Sequence, residues 1–436
     1  MAHAIKNQQA IISKLGIEKL NAMQEEACLA ISASKDVVLL SPTGTGKTVA
    51  FLLPIIAELT ATIEEIQALI IVPSRELAIQ IESVIREMGT GFKTNAVYGG
   101  RSGAKDKFEI KHRPAILIGT PGRVSDHLRR GNFSAEHIKT LVLDEFDKSL
   151  EVGFEDEMKD IINMLPALNK KVLTSATQGV KIPAFVGVSD PLIIDYLAGH
   201  ETSLAIKAIV SPSKDKLETL GQAIKQQGNV PGIVFCNFKD SIQRISDYLT
   251  DQGISHSCFY GGMEQKDRER ALIKFRNGTN QVLLATDLAA RGIDVPEIKY
   301  IIHYHLPHHE EEFIHRNGRT ARMNKDGTAF VLTSEFEQLP NFISYSEEET
   351  LKSSSSLSAS LWTTLFVSGG RKDKISKGDI AGLFLKIGGL GTSEIGVIEL
   401  KQDCAFVAVH KSMVESLLSK VDNQRLKKKK VRITEI

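Results

Sequence analysis

The sequence is short of cysteine, of charge of one sign and of long apolar runs. It has four cysteines in 436 residues, Cys28, Cys236, Cys258 and Cys404, and none forms a C-x-x-C pair. This scatter offers neither a disulfide framework nor a zinc site. It fits a reduced, cytoplasmic compartment. No stretch approaches the roughly 18 apolar residues of a membrane span. Met1 to Ala10 lacks an apolar run, so neither a membrane anchor nor a signal peptide is expected. The net charge is +1, which neither supports nor excludes a polyanionic partner. Its distribution says more. Residues 361–436 carry 14 Lys and Arg against 8 Asp and Glu, a net of +6, so the first 360 residues sum to −5. A basic C-terminal end on a near-neutral chain is the asymmetry of an appended nucleic-acid module.

What is present is an ordinary globular composition, with 42% hydrophobic and 25% charged residues. At roughly 100–200 residues per domain, the length suggests two to four domains. Short apolar runs, Val37 to Leu40, Ala68 to Val72, Ala115 to Ile118, Thr140 to Leu143 and Lys171 to Leu173, alternate with amphipathic segments such as Arg75 to Met88. That alternation predicts a parallel sheet covered by helices. It weakens near Ala198 to Pro212 and restarts with Gly232 to Phe235, Gln281 to Ala285, Tyr300 to Tyr304 and Thr328 to Leu332. The expected division is a first α/β domain over 1–205 and a second over 206–345. A Glu- and Ser-rich linker over 346–360 and a small α+β domain over 361–436 complete it. The closing run Lys427 to Lys430 reads equally as a solvated tail or as an RNA contact.

Ser41-Pro-Thr43-Gly44-Thr45-Gly46-Lys47-Thr48 follows an apolar strand and precedes a helical segment. This is the setting of a phosphate loop. Gly44 and Gly46 let the backbone approach phosphate oxygens, and backbone N–H groups with the helix N-terminus supply positive potential. Lys47 can reach β- and γ-phosphates, and the Thr48 hydroxyl can ligate Mg²⁺. The usual first glycine is replaced by Ser41. Downstream, Leu141-Val-Leu-Asp144-Glu145-Phe146-Asp147 is an apolar strand ending in carboxylates. Asp144 suits holding Mg²⁺, and Glu145 suits orienting an attacking water.

With these residues in view, the chain resembles the DEAD-box helicase family over nearly its whole length. Gln24 is similar to the family's adenine-reading glutamine, whose amide can both donate and accept. Arg75, Gly99-Gly100 and Thr120-Pro-Gly122-Arg123 resemble RNA-backbone contacts of the first domain. Ser175-Ala-Thr177, with Asp147, resembles the set that couples hydrolysis to unwinding. In the second domain Gln265-x-x-Arg268 and Thr286 resemble RNA contacts, and Asp294 a nucleotide contact. Arg319 and Arg322 resemble arginines that reach the γ-phosphate. The resemblance implies two tandem RecA-like domains, ATP with Mg²⁺ as cofactors, and catalysis by Lys47, Asp144, Glu145, Arg319 and Arg322. Three departures stand out: Phe146 replaces the usual Ala, Ile17 replaces an aromatic that stacks on adenine, and Ser41 replaces glycine.

Phe366-Val-Ser-Gly-Gly370-Arg371-Lys372-Asp-Lys374 and the strand-like runs after it resemble the RNA-binding domain of the bacterial DbpA subgroup, a divergent RNA-recognition fold. Arg371, Lys372 and Lys374 would meet RNA from a tight turn. By that resemblance the partner is structured large-subunit ribosomal RNA in a pre-ribosomal particle; a monomer is expected. The expected function is ATP-dependent RNA unwinding. A weakly hydrolysing, nucleotide-dependent RNA clamp and a DNA helicase stand beside it as other readings.

Overall fold

The computed structural model describes residues 7–100, 103–149, 154–177, 181–197, 204–287, 295, 298–320, 326–352 and 360–436. The first sheet contains β1 (Asp36–Leu40), β2 (Ala68–Ile71), β3 (Thr94–Val97), β4 (Ile116–Gly119), β5 (Thr140–Leu143), β6 (Lys170–Ser175) and β7 (Leu192–Asp195). They are all parallel, in the order β3-β4-β2-β5-β6-β1-β7. The inner strands β2, β4 and β5 are buried at every residue. Helices on both faces leave no polar side to a strand, so these segments read as unbroken apolar runs. One face buries a core around Phe51, Ile55, Ile70 and Ile118, the other a core around Leu69, Leu117, Leu141 and Phe146.

The second sheet contains β8 (Leu204–Ser211), β9 (Gly232–Phe235), β10 (His256–Phe259), β11 (Val282–Ala285), β12 (Tyr300–His303), β13 (Gly327–Ser334) and β14 (Glu347–Glu348). Its order is β10-β11-β9-β12-β13-β8-β14, again all parallel. The third sheet is antiparallel, in the order β16-β17-β15-β20. It is formed by β15 (Trp362–Val367), β16 (Ile395–Leu400), β17 (Ala405–His410) and β20 (Ile433–Glu435), and a small hairpin, β18 (Arg425–Leu426) with β19 (Lys429–Lys430), precedes β20. Helical segments Lys377–Gly382 and Val414–Val421 sit between the strands in sequence and share the sheet's core with Leu365, Val367, Val407 and Val409. The expected α/β class, with two tandem parallel sheets and a small α+β domain, is what the chain adopts.

The differences from the sequence reading cluster at sheet edges. The strands β3, β7, β10 and β14 were not expected, and each is the terminal strand of its sheet. An edge strand is covered less completely, so its sequence need not be an apolar run; β10 reads His-Ser-Cys-Phe and β14 is Glu-Glu. The stretch near Ala198 to Pro212 carries β8, which begins at Leu204, before the expected boundary at 206. Glu347–Glu348, read as linker, pairs with β8. Lys207 binds both Glu347 and Glu349, which supplies the attraction. The final basic run is not a tail. Lys429 bonds Asp373 at 2.8 Å and Lys427 bonds Asp379 at 2.9 Å, which folds the run back as the β18–β19 hairpin.

Candidate nucleotide and RNA sites

The phosphate loop leaves the end of β1, Asp144 follows β5, and Ser175 closes β6. In the sheet these strands are consecutive, β5-β6-β1, with Leu40 in register with Ser175. Sequence positions over a hundred residues apart are thereby gathered at one carboxyl edge, where open α/β sheets bind ligands. Gly44 (φ +89°) and Gly46 (φ +88°) take left-handed backbone that a side chain rarely adopts. A Cβ at Gly46 would lie 2.3 Å from the Gln24 amide nitrogen.

The loop is held by its own polar groups. Ser41, fully buried, hydrogen-bonds the Thr45 hydroxyl at 2.8 Å, and its amide donates to the Ser175 carbonyl at 3.0 Å. The hydroxyl that replaces glycine therefore ties the loop's two ends. Lys47, at the start of the helix Lys47–Glu58, donates to the Ser41 and Pro42 carbonyls at 2.5 and 2.9 Å. Gln24 sits in a capping box with Asn21, and its amide donates to the Gly46 carbonyl at 3.2 Å. Asn21 donates to the Thr45 carbonyl at 3.0 Å. Both arms of the Gln24 amide are thus engaged with the chain itself. The sequence reading missed Asn21, although its helix-capping character was visible. Thr43 and Thr48 are half-buried on the same loop. Ile17 is half-buried against the core.

Asp144 is buried and accepts hydrogen bonds from the Thr174 hydroxyl and from the Glu145 amide. Burial, with the Glu145 charge beside it, pushes its carboxyl up to about 6; the Thr174 bond and the Lys47 charge pull the other way. Glu145 holds a left-handed backbone (φ +50°) without being glycine. Its Oε2 is buried and has no hydrogen-bond partner among the described residues. A buried, unbonded carboxylate oxygen costs on the order of 1–3 kcal/mol and calls for an explanation in a ligand or water.

Asp147 accepts from the Thr177 hydroxyl at 3.1 Å, and the Thr177 amide donates to the Ser175 hydroxyl at 3.0 Å. The three residues expected to act together are therefore bonded in a chain, with Thr177 rather than Ser175 meeting Asp147. Phe146 does not disturb this network. Its ring is buried in the apolar core, in the cluster of Leu143, Met158 and Ile161.

The first domain's RNA candidates also converge. The Arg75 guanidinium lies so near Gly100 (φ +82°) that a Cβ there would meet Nη1 at 2.3 Å. Thr120 occupies the N-cap position of the helix Pro121–Arg129, without a side-chain capping bond, and that helix carries Gly122 and Arg123. Arg123 donates to the buried Asp106 at 2.8 Å, a partner the sequence reading did not single out.

In the second domain, Gln265 begins the helix Gln265–Arg276 and Thr286 follows β11. Arg268 is buried, with its guanidinium 4.6 Å from the Phe259 ring centroid, so it positions this segment rather than presenting an open cation. Arg316, unassigned from sequence, is the hub of the domain. It is 1% exposed and binds Asp287 through two nitrogens at 2.6 and 2.5 Å, the His305 carbonyl at 2.7 Å and Asn237 at 2.8 Å. Arg319 is also buried. Asp294 and Arg322 lie outside the described residues.

In the third domain Gly370 lets a turn sit flush against β17's approach; a Cβ there would meet the Gln402 carbonyl at 2.5 Å. Arg371 and Lys372 amides donate to the Lys401 and Gln402 carbonyls at 3.0 and 2.8 Å. The backbone is pinned, and Arg371, Lys372 and Lys374 are exposed upon it.

Comparison with known proteins agrees with this layout. Residues 21–184 match the DEAD/DEAH box helicase model, 215–324 the helicase conserved C-terminal domain, and 364–435 the DbpA RNA binding domain. The chain is 32% identical to the ATP-dependent RNA helicase DbpA of Escherichia coli (strain K12), covering 97% of this chain and 95% of that protein. It is 30% identical to the protein of that name in Bacillus subtilis (strain 168), covering 96% and 95%. Among solved structures it is similar to S. cerevisiae Dbp5 bound to RNA and ADP BeF3, with a TM-score of 0.69, 26% identity, and 77% of this chain and 88% of that one covered. No helix of the described residues is long and apolar enough to cross a membrane.

Proposed function

The chain belongs to the DEAD-box ATP-dependent RNA helicases that carry a DbpA-type RNA-binding domain, and from that premise we propose that it opens short RNA helices during assembly of the large ribosomal subunit. It is an enzyme, an RNA-stimulated ATPase that binds ATP and RNA. The observation that carries the mechanism is the bonded path from the phosphate loop through Ser175 and Thr177 to Asp147, which puts nucleotide and coupling residues in one network.

In this reading, Lys47 leaves the Ser41 and Pro42 carbonyls for the β- and γ-phosphates, while Gly44, Thr45 and Gly46 supply backbone N–H groups. Gln24 exchanges its intramolecular bonds for adenine. Thr48 and Asp144 would hold Mg²⁺, which when bound neutralises phosphate charge. The unbonded Glu145 Oε2 fits the need to orient the attacking water. Arg319 and Arg322 answer the charge of the transferring phosphoryl group, which makes hydrolysis depend on closure of the two helicase domains. Arg75, Gly100, Thr120, Gly122, Arg123, Gln265 and Thr286 hold the RNA backbone, so binding there is largely sequence-independent. Arg371, Lys372 and Lys374 anchor a structured ribosomal RNA and raise the effective concentration of the core beside it. A cytoplasmic monomer completes the reading; the four free, scattered thiols support the compartment. Buried Phe146 leaves the carboxylates in place, so nothing favours a non-hydrolysing clamp.

The test is ATP hydrolysis with no RNA, with poly(U) and with large-subunit ribosomal RNA, repeated in an R371A/K372A/K374A variant. Ribosomal RNA is expected to stimulate far better than poly(U), and the variant to lose that margin. Equal stimulation by both RNAs would refute the ribosomal assignment.

A further inference from the structure

Three phenylalanines are exposed among the described residues, Phe108, Phe238 and Phe336. Phe238 is the one that breaks a local rule. It is 60% exposed at the N-cap of the helix Lys239–Asp251 and makes no side-chain capping bond. That position favours Ser, Thr, Asp or Asn, whose oxygen satisfies a helix N–H. A phenyl ring there neither caps the helix nor joins the core. Residues that break local rules without a gain in stability concentrate at functional sites.

The ring is carried on a rigid base. Asn237, just before it, accepts from the Arg316 guanidinium at 2.8 Å, and its side-chain amide donates to the Leu306 carbonyl at 3.0 Å. The Asn237 backbone amide donates to His305 Nδ1 at 3.2 Å, and the His305 ring meets Phe238 edge-to-face at 5.8 Å. The place is the carboxyl edge of the second sheet. β9 lies beside β11 with Phe235 in register with Ala285, so Phe238 and Thr286 leave neighbouring strands. The Arg316 nitrogen that holds Asn237 also holds Asp287, the residue after Thr286, at 2.5 Å. One guanidinium thus fixes the ring next to a candidate RNA-backbone contact. The contacts and chain neighbours of Phe238 are polar, namely Asn237, Lys239 and His305. They do not form the contiguous apolar patch that a protein partner covers. A lone flat ring among cations and polar groups is the make-up of a base-stacking platform.

We propose that Phe238 is a base-stacking residue of the RNA path: one base of the strand whose backbone Gln265 and Thr286 hold leaves its own stack and lies on the open face of the ring. A base inside a duplex is already stacked on both sides, so the platform favours a separated strand while tolerating any sequence. The second domain's grip then depends on bases as well as on phosphates. The proposal deepens the RNA-contact reading of Gln265 and Thr286 and rests on it.

The experiment measures the affinity of the full chain, with AMP-PNP and Mg²⁺, for a fluorescent oligo(A) of about ten nucleotides and for an abasic strand of the same backbone and length. Phe238→Thr places a capping residue at the helix start, so it is expected to fold at least as stably as the parent. It should nevertheless lose about tenfold in affinity for oligo(A), the worth of one stacked base, and nothing for the abasic strand. Phe238→Trp should keep the oligo(A) affinity. Phe336→Ala, at an equally exposed ring two strands away beneath the Lys214 ammonium, should change neither. Unchanged oligo(A) affinity in Phe238→Thr overturns the proposal and leaves the ring to a protein partner. An equal loss on the abasic strand overturns it as well, because the ring then meets backbone. So does a loss in Phe336→Ala as large as that in Phe238→Thr. Thr286→Val probes the underlying reading separately and should weaken both strands alike. If it weakens neither while Phe238→Thr still weakens oligo(A), the backbone contact falls and the stacking stands.

Discussion

The two helicase domains share a sheet architecture yet treat their carboxyl edges in opposite ways. The first leaves chemical groups unspent. Glu145 Oε2 is buried without a partner among the described residues, Lys47 is held by carbonyls of its own loop, and burial pushes the Asp144 pKa up to about 6. The second spends nearly everything on itself. Arg316 satisfies Asp287, His305 and Asn237 at once, and lies 5.3 Å from the Phe235 ring. Burial and the Arg316 charge then hold His303 neutral, with its pKa lowered to about 3. One edge is poised for a ligand at a cost in stability, and the other is a frame. The same fold can do either, because the edge side chains decide.

The comparison is broken most strongly at the frame. Arg316→Ala vacates a buried site and leaves the half-buried Asp287 without its bidentate partner, and it is expected to destabilise the second domain by about 3 kcal/mol. Thermal or urea unfolding measures this, and the first domain's transition should not move. At the poised edge the expectation inverts. Glu145→Gln should lower RNA-stimulated ATP hydrolysis by about 10²-fold or more while leaving the unfolding midpoint unchanged or slightly higher. If that variant unfolds as readily as the Arg316 variant, the distinction between frame and poised edge is wrong.

Acid sharpens the contrast. His303 and His305 have folded-state pKa values lowered to about 3 and about 4 by burial, with neighbouring cations contributing. A base held neutral in the fold binds fewer protons than the unfolded chain below pH 6.5. Its stabilising effect is complete above that value and is lost as pH falls toward 4, at up to about 1.4 kcal/mol per unit for the fully buried His303 and less for the partly exposed His305, where solvent screens the effect. Urea midpoints of the second domain between pH 7 and 4.5 should follow that slope, and His303→Gln should flatten it. The smallest effect is at Ser41. Ser41→Gly removes the 2.8 Å bond to Thr45, and the first domain should lose about 1 kcal/mol. A gain in stability would mean that the hydroxyl does not tie the loop.

The phosphate loop was readable because strand, glycines, lysine and helix are contiguous, and the chemistry of each residue acts on its neighbours. Asp144 and Glu145 were readable for the same reason, at the end of an apolar run. The bond from Asp147 to Thr177 spans thirty residues, and no local pattern specifies which hydroxyl meets which carboxylate. Arg316 was invisible as a hub because its partners come from three separate segments. Of the edge strands, β3, β10 and β14 were missed because half-covered strands carry mixed sequences, as β10 does; β7, the apolar Leu-Ile-Ile-Asp, has no such reason.

By itself the sequence determined the class of the fold, the three-part organisation and the nucleotide motifs, since periodicity and contiguous motifs are local properties of a chain. Only the tertiary structure decided that the Lys427 to Lys430 run folds back onto Asp373 and Asp379, that Phe146 points into the core, and that Glu399 is Arg276's partner. Each depends on which segments strand order and helix packing bring together, and that is settled by burial and pairing over the whole domain.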